Sequence, residues 1–347
     1  MRKEFYPSEL DIRVTGRTIL KNGELFLSHS ASGVEFMFEG TRLEAEFSSE
    51  GGGADFQAWI GVFVNGEETK RIALEAGAVR YLLWESGQAE NVKISLVKMS
   101  ENQYAYASIR KFFMEEGAIV RKTEGKQKKI QFIGDSITCG FGNEGNPGDS
   151  FTTGTENPLK AYAALTAEKL NAEATLLAWS GIGIISSYVD PDVEVPNTGV
   201  LVPMVYPYAD YSLQCRMGWE KQEYDFSSDD CNLIVINLGT NDSSYTRGYA
   251  ERKEAFKTAY RDFVRYLCDK YGNVPVVCTA GSMNHLLDYE IMSAAEEIAA
   301  EGKAVYYMEF APQKPEDGEG AVGHPSLIRH EKMAEQLASW IRDNRII

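Results

Sequence analysis

The stretch that decides the fold is residues 130–142, Ile-Gln-Phe-Ile-Gly-Asp-Ser-Ile-Thr-Cys-Gly-Phe-Gly. Ile130, Phe132 and Ile133 make a short run of the buried-strand type, and Gly134-Asp135-Ser136 breaks it abruptly. Ile137-Thr138 then lead into Gly140 and Gly142. A serine on a tight turn where a parallel strand stops lies at the carboxyl edge of the sheet, where open α/β folds bind ligands. There its hydroxyl is exposed, and its backbone N–H can point toward a developing oxyanion. The same residue types also make an ordinary strand-ending turn. The rest of the chain decides between the two.

Downstream, buried-type strand runs recur at 174–179, 233–238, 274–279 and 304–308. Helical patterns lie between and after them. Residues 158–170 are rich in alanine and leucine. Phe256, Ala259, Phe263 and Leu267 share one face of a helix ending near Gly272, residues 289–301 form another, and Ser326 to Arg342 place Leu327, Ala334, Leu337 and Ile341 on one face. Strands alternating with helices predict a doubly wound, flavodoxin-like parallel sheet with helices on both faces. Residues 188–229 are long, rich in Pro and Tyr and poorly periodic, which predicts a functional loop or an insertion.

Upstream the period is two. Leu43, Ala45 and Phe47 interleave with Arg42, Glu44 and Glu46; Val34, Phe36 and Phe38 repeat the pattern, as do Val92, Ile94 and Leu96. Turn signals punctuate these runs at Asn22-Gly23, Gly40-Thr41, Gly51-Gly52-Gly53 and Asn65-Gly66. Short strands without a convincing helix predict an all-β, jelly-roll-like sandwich. The expected organisation is therefore a sandwich over 1–122 and an α/β domain over 128–347, joined through the charged stretch Arg121 to Lys129.

With 347 residues, two domains are the natural expectation. A formal net charge of -16 argues against nucleic acid and anionic membranes as partners, and it favours a neutral substrate over a polyanionic one. The basic cluster Lys126, Lys128 and Lys129 reads as a solvated linker. The opening MRKEFYPSELDIRV has no apolar core of a signal peptide, so the expected location is cytoplasmic. The five cysteines lack any CxxC spacing, which suggests reduced thiols rather than a disulfide framework or a metal site. Cys139, three residues after Ser136, has no base beside it and reads as packing.

Four segments fall where strands of the second domain give way to loops or helices: Ser136; Ser180-Gly181-Ile182-Gly183; Gly239-Thr240-Asn241-Asp242; and Gly323-His324-Pro325-Ser326 before the last helix. In a parallel sheet such distant segments can meet at one edge. Ser136 becomes a nucleophile if a base takes its proton, and His324 is placed to do so, with Pro325 suiting the first helical position and His324 at or near the N-cap. The N–H groups of Ser136 and Gly181 and the amide of Asn241 could surround an oxyanion. His29, His285 and His330 are the competing histidines, Gly183 is the second register for the glycine donor, and Asn241-Asp242 could be a plain turn.

These blocks resemble those of the SGNH (GDSL-type) hydrolase superfamily. The resemblance gives Ser136 as nucleophile, Gly181 and Asn241 as oxyanion donors and His324 as base. The upstream sandwich, together with Asn157-Pro158-Leu159-Lys160-Ala161-Tyr162, the Ser-Gly-Ile-Gly run and the final His-Pro-Ser, narrows it to carbohydrate esterase family 2. What this implies is a cofactor-free acetyl esterase acting on xylan- or mannan-type acetylated oligosaccharides. One departure stands out. Most SGNH enzymes place an aspartate two or three residues before the histidine, and here those positions are Val322 and Ala321. The expectation is a Ser-His dyad whose histidine donates to a main-chain oxygen in the 318–323 loop, with Asp317 and Glu319 as second choices. Sugar-facing aromatics are expected from Tyr206, Tyr208 and Trp219, or from the sandwich. The rival readings are another small-acyl, lipid or thioester hydrolase, and a carbohydrate-binding protein with an inactive hydrolase half. The oligomeric state is not legible.

Overall fold

The alternating stretches become a ten-stranded antiparallel sheet in the computed structural model, which describes residues 2–50 and 52–347. Gly51, in the expected turn Gly51-Gly52-Gly53, lies outside the described residues. Two strands are unusually long, Gly33–Ser49 and Gly77–Lys98, and they pair from Gly33 against Val97 to Ser49 against Gly77. Register shifts at Gly40/Arg42 and Leu43/Glu44 interrupt the ladder. Such bulges bend a strand and sharpen its twist, so the sheet curls. Val34, Phe36, Phe38, Leu43, Ala45, Phe47, Val92, Ile94 and Leu96 all enter one buried cluster, as the alternation requires. Asn65-Gly66 turns the chain between strands Trp59–Val64 and Glu67–Ala73.

The chain falls into two units. The first comprises Met1–Gly125 but also Thr152–Glu156 and Ala209–Gln222, and the second comprises Lys126–Phe151, Asn157–Tyr208 and Glu223–Ile347. Part of the aperiodic 188–229 segment thus belongs with the β-rich unit. The reason is local. Ala209 and Leu213 pack on Ile19 and Phe26, while the buried Asp210 caps helix Tyr211–Arg216 and accepts from Asn102 Nδ2. In the shorter segment, Thr153 bonds the carbonyls of Asp55 and Gln57, and the buried Glu156 takes a hydrogen bond from Ser30. Lys98 is buried among these acids; burial pushes its ammonium down to about 8 against the pull of Glu156, Asp210 and Glu101.

In the second unit five parallel strands lie in the order Ala172–Ala178, Lys128–Gly134, Leu233–Asn237, Val276–Ala280, Val305–Glu309. Helix Tyr162–Lys169 packs with Leu327–Asp343, and helix Ala250–Tyr271 with Asp288–Ala300, so two helix pairs accompany the sheet. Gly134 is level with Ala178 on one side and Asn237 on the other. The strand order reverses around Lys128–Gly134, and such a reversal opens a crevice at the carboxyl ends of the strands it separates. No helix among the described residues is long and apolar enough to cross a membrane.

Candidate active site

Strand Lys128–Gly134 ends in a four-residue helix, Ser136–Cys139, capped by Asp135, whose carboxylate accepts from the Ile137 N–H at 3.0 Å. This puts Ser136 at the first turn after the strand, while Cys139 is fully buried. His324 follows the 3-10 turn Ala321–Gly323. It is not the N-cap of the last helix. That position belongs to Ser326, whose Oγ accepts from the Arg329 N–H at 3.2 Å, so the helix begins at Leu327 and His324 stays on the preceding extended segment. From there its Nε2 lies 2.9 Å from Ser136 Oγ. The other histidines are engaged elsewhere: His330 Nδ1 accepts from the Tyr162 N–H, His285 Nδ1 meets Asp288, and His29 is buried in the β-rich unit.

His324 Nδ1 lies 3.2 Å from the Val322 carbonyl. A carbonyl only accepts, so Nδ1 carries the proton and Nε2 presents its lone pair to the serine. Neither carboxylate considered from sequence does this. Asp317 is buried against Arg329 and Lys332, and Glu319 is exposed, with its backbone bridged to Pro325. Burial holds the His324 imidazole below its usual range, opposed by the carbonyls of Val322 and Ala321. The neutral, proton-accepting form therefore persists at lower pH than in a free imidazole.

Val322 reaches this position at φ 54°, ψ 36°, the left-handed region, which costs a β-branched residue roughly 1–2 kcal/mol. Its side chain is largely exposed. Val322→Asn keeps the carbonyl and tolerates that backbone, so it should stabilise the fold by about 1 kcal/mol with kcat unchanged. Thermal unfolding and ester turnover of the variant check this; a fall in kcat would show that the valine side chain itself matters.

Gly181 sits at φ 81°, with open space where a Cβ would project. Its N–H and that of Ser136 donate to no acceptor among the described residues. Asn241 is different. Its Nδ2 donates to the Ile182 carbonyl at 2.9 Å and to Asp135 at 3.2 Å, so both amide hydrogens are already held. The expected third donor would have to be drawn from the longer of these bonds. Asp242, which the sequence reading left without a role of its own, is fully buried and gathers the N–H groups of Ile184, Ile185 and Ser186 at 3.0, 2.7 and 3.1 Å. Burial raises its carboxyl to about 6, with the three N–H groups opposing. A Cβ on Gly183 would collide with the Ser186 carbonyl and come 2.7 Å from an Asp242 oxygen. Gly183 is thus a spacer for this anchor, and Gly181 is the glycine that offers a donor. Nothing local marks Asp242 for such a role; only its position next to Asn241 hinted at it.

One of the expected sugar-facing aromatics needs correction. Tyr206 is fully buried, its hydroxyl bonded to Gln131 and 3.2 Å from that of Tyr271, with Phe263 edge-on to its ring. It is core, because a strand glutamine and a helix tyrosine satisfy its polar end. Trp219 belongs to the β-rich unit, where it packs edge-on to Phe26 at 5.1 Å under Lys21. Tyr208 is half-buried, with its backbone bridged to Glu223.

A serine hydroxyl aimed at an imidazole beside two unengaged N–H groups is equipped for acyl transfer. Comparison with known proteins agrees with that chemistry. The carbohydrate esterase 2 N-terminal model matches residues 14–123, and the GDSL-like lipase/acylhydrolase family model matches residues 132–326. The cellulase/esterase CelE of Acetivibrio thermocellus is 32% identical over 322 residues, covering 90% of this chain but only 37% of that protein. The chain thus spans little more than a third of that relative. An acetylxylan esterase / glucomannan deacetylase of Cellvibrio japonicus is 25% identical over 342 residues, covering 96% of this chain and 89% of that one. Two structures of a family two carbohydrate esterase from Clostridium thermocellum superpose with TM-scores of 0.85 and 0.84 at 30% and 29% identity. They cover 97% and 96% of this chain and 99% of each matched chain, and the second holds cellohexaose. With both halves matched and the solved relatives aligned over nearly their full length, the chain belongs to carbohydrate esterase family 2, on the SGNH (GDSL-type) hydrolase fold.

Proposed function

We propose that the chain is a serine esterase that removes O-acetyl groups from neutral plant-type saccharides, acetylated xylan or mannan fragments, by two-step acyl transfer. The observation that carries this is the 2.9 Å contact of Ser136 Oγ with His324 Nε2 beside the unengaged N–H groups of Ser136 and Gly181. Ser136 Oγ attacks the acetyl carbonyl carbon while its proton passes to His324 Nε2. The carbonyl oxygen becomes an oxyanion, held by the two backbone N–H groups and by Asn241 Nδ2 as it turns from Asp135. Collapse breaks the bond to the sugar oxygen, which takes the proton from His324 and leaves acetyl-Ser136. Water attacks that ester, His324 takes its proton, and the second collapse releases acetate and returns the proton to Ser136.

The saccharide part is supported by the named activity of the Cellvibrio japonicus relative and by the cellohexaose held by the Clostridium thermocellum one. The net charge of -16 also favours a neutral polymer. Two assays test the proposal: 4-nitrophenyl acetate, butyrate and octanoate compared by kcat/KM, and acetate release from acetylated xylo-, manno- and cello-oligosaccharides followed by NMR. Acetyl preference with release from xylan or mannan fragments is expected. Octanoate preference would instead indicate a lipid-type acyl hydrolase, and sugar retention without ester turnover would indicate a binding protein.

A further inference from the structure

His324 must carry a positive charge in every transition state proposed above, and no carboxylate among the described residues hydrogen-bonds its ring. Asp149 gives its carbonyl to the Val322 N–H and its carboxylate to the backbone and side chain of Asn146. Glu144 pairs with Lys160 at 2.7 Å, Asp317 with Arg329 and Lys332, and Asp135 accepts from Ile137 and Asn241. His330, which feels the charge of His324, is buried and held neutral. What does lie against the imidazole is a benzene ring. The Phe141 centroid is 4.4 Å from that of His324, the two rings tilted by 40°, and Phe151 stacks on Phe141 at 3.5 Å.

An aromatic face carries partial negative charge and attracts a cation placed over it, most strongly where water is excluded. A neutral imidazole gains much less from the same ring, so the interaction strengthens as the proton arrives. Differential stabilisation of this kind speeds a reaction. We propose that Phe141 is a positioning residue that holds and stabilises the His324 imidazolium, the part an aspartate plays in a complete triad. Phe151, stacked on Phe141, fixes the orientation of that ring. This inference rests on the reading of Ser136 and His324 as nucleophile and base.

The test replaces Phe141 site-specifically by mono-, di- and trifluorophenylalanine, which drain the ring face of charge with little change in size, alongside Phe141→Leu and Phe141→Trp. With an acetyl ester, Phe141→Leu should lower kcat roughly two- to thirty-fold with KM little changed. Phe141→Trp should retain most of the rate, and the fluorinated series should fall stepwise. Losing the ring face disfavours the imidazolium, so the acidic limb of the kcat/KM profile should move to lower pH in the same order. NMR titration of His324 reads the same shift without turnover, and the near-isosteric fluorinated variants carry the test where the leucine variant folds poorly. A flat fluorine series, or Phe141→Trp as impaired as Phe141→Leu, would overturn the role of Phe141 and leave the dyad standing. Turnover surviving in Ser136→Ala would remove the dyad instead.

Discussion

Ser136→Ala should lower turnover of 4-nitrophenyl acetate by roughly 10⁴-fold or more while leaving the fold intact. The size follows from how the pair works. In the first step His324 Nε2 takes the proton of Ser136 Oγ at 2.9 Å, and without the hydroxyl no acetyl-enzyme forms. What remains is binding plus the backbone N–H groups, which still accelerate attack by water. Stability should change little, because a single hydrogen bond to His324 contributes about 0.5–1.5 kcal/mol. His324→Ala should cost a comparable factor, and the double variant should be no worse than either single one, since the two residues act as one unit. Rates with and without each side chain, set beside thermal unfolding, decide the matter. A Ser136→Ala enzyme that keeps a tenth of its turnover would remove Ser136 as nucleophile.

Asp242→Ala should have the opposite signature, with loss of stability first and loss of rate as its consequence. Removing the carboxylate leaves the N–H groups of Ile184, Ile185 and Ser186 buried without their acceptor. Each such donor costs about 1–3 kcal/mol, and partial relaxation brings the total to roughly 3–5 kcal/mol. The midpoint of thermal unfolding should drop by about 10 °C. The loop that Asp242 ties down begins at Gly181, whose N–H is one of the two unengaged donors. Below the unfolding transition, kcat should therefore fall on the order of 10²-fold as that donor wanders, with a smaller effect on KM. An Asp242→Ala protein that unfolds like the parent would show that water or neighbouring groups satisfy the loop equally well.

Much of the α/β unit was legible because each of its signals is local. Strands Lys128–Gly134 and Leu233–Asn237 are short, mostly apolar runs, and the breaks after them fall where the turns carrying Ser136 and Asn241 lie. His324 could be found because it precedes the last helix, and the absence of an acid at 321 and 322 already pointed to a main-chain partner for it. What local pattern could not convey was which polar groups end up buried and with whom. Tyr206 looked like a ligand-facing aromatic because it lies in an irregular segment. Its burial depends on Gln131 and Tyr271, residues remote in sequence that complete its hydrogen bonds. Asp242 and Asn241 are adjacent, yet one anchors a loop and the other splits its amide between Ile182 and Asp135. Pro325 was placed in the first helical position, two residues before the helix begins, for a related reason. Pro325 suggested the first turn, but Ser326 has the side chain that caps it.

The membership of residues 152–156 and 209–222 in the β-rich unit has a consequence for how such a protein can be taken apart. The backbone passes from one unit to the other five times, at 125/126, 151/152, 156/157, 208/209 and 222/223. A gene cut once near residue 125 would deliver a sandwich without Asp210 and Leu213, and with Lys98 deprived of Glu156 and Asp210. The excised piece would expose Ile19 and Phe26 and leave the Lys98 ammonium with Glu101 alone of its three acids. Shuffling by single crossovers is therefore closed to this architecture, and the two halves can be inherited, expressed or redesigned only together.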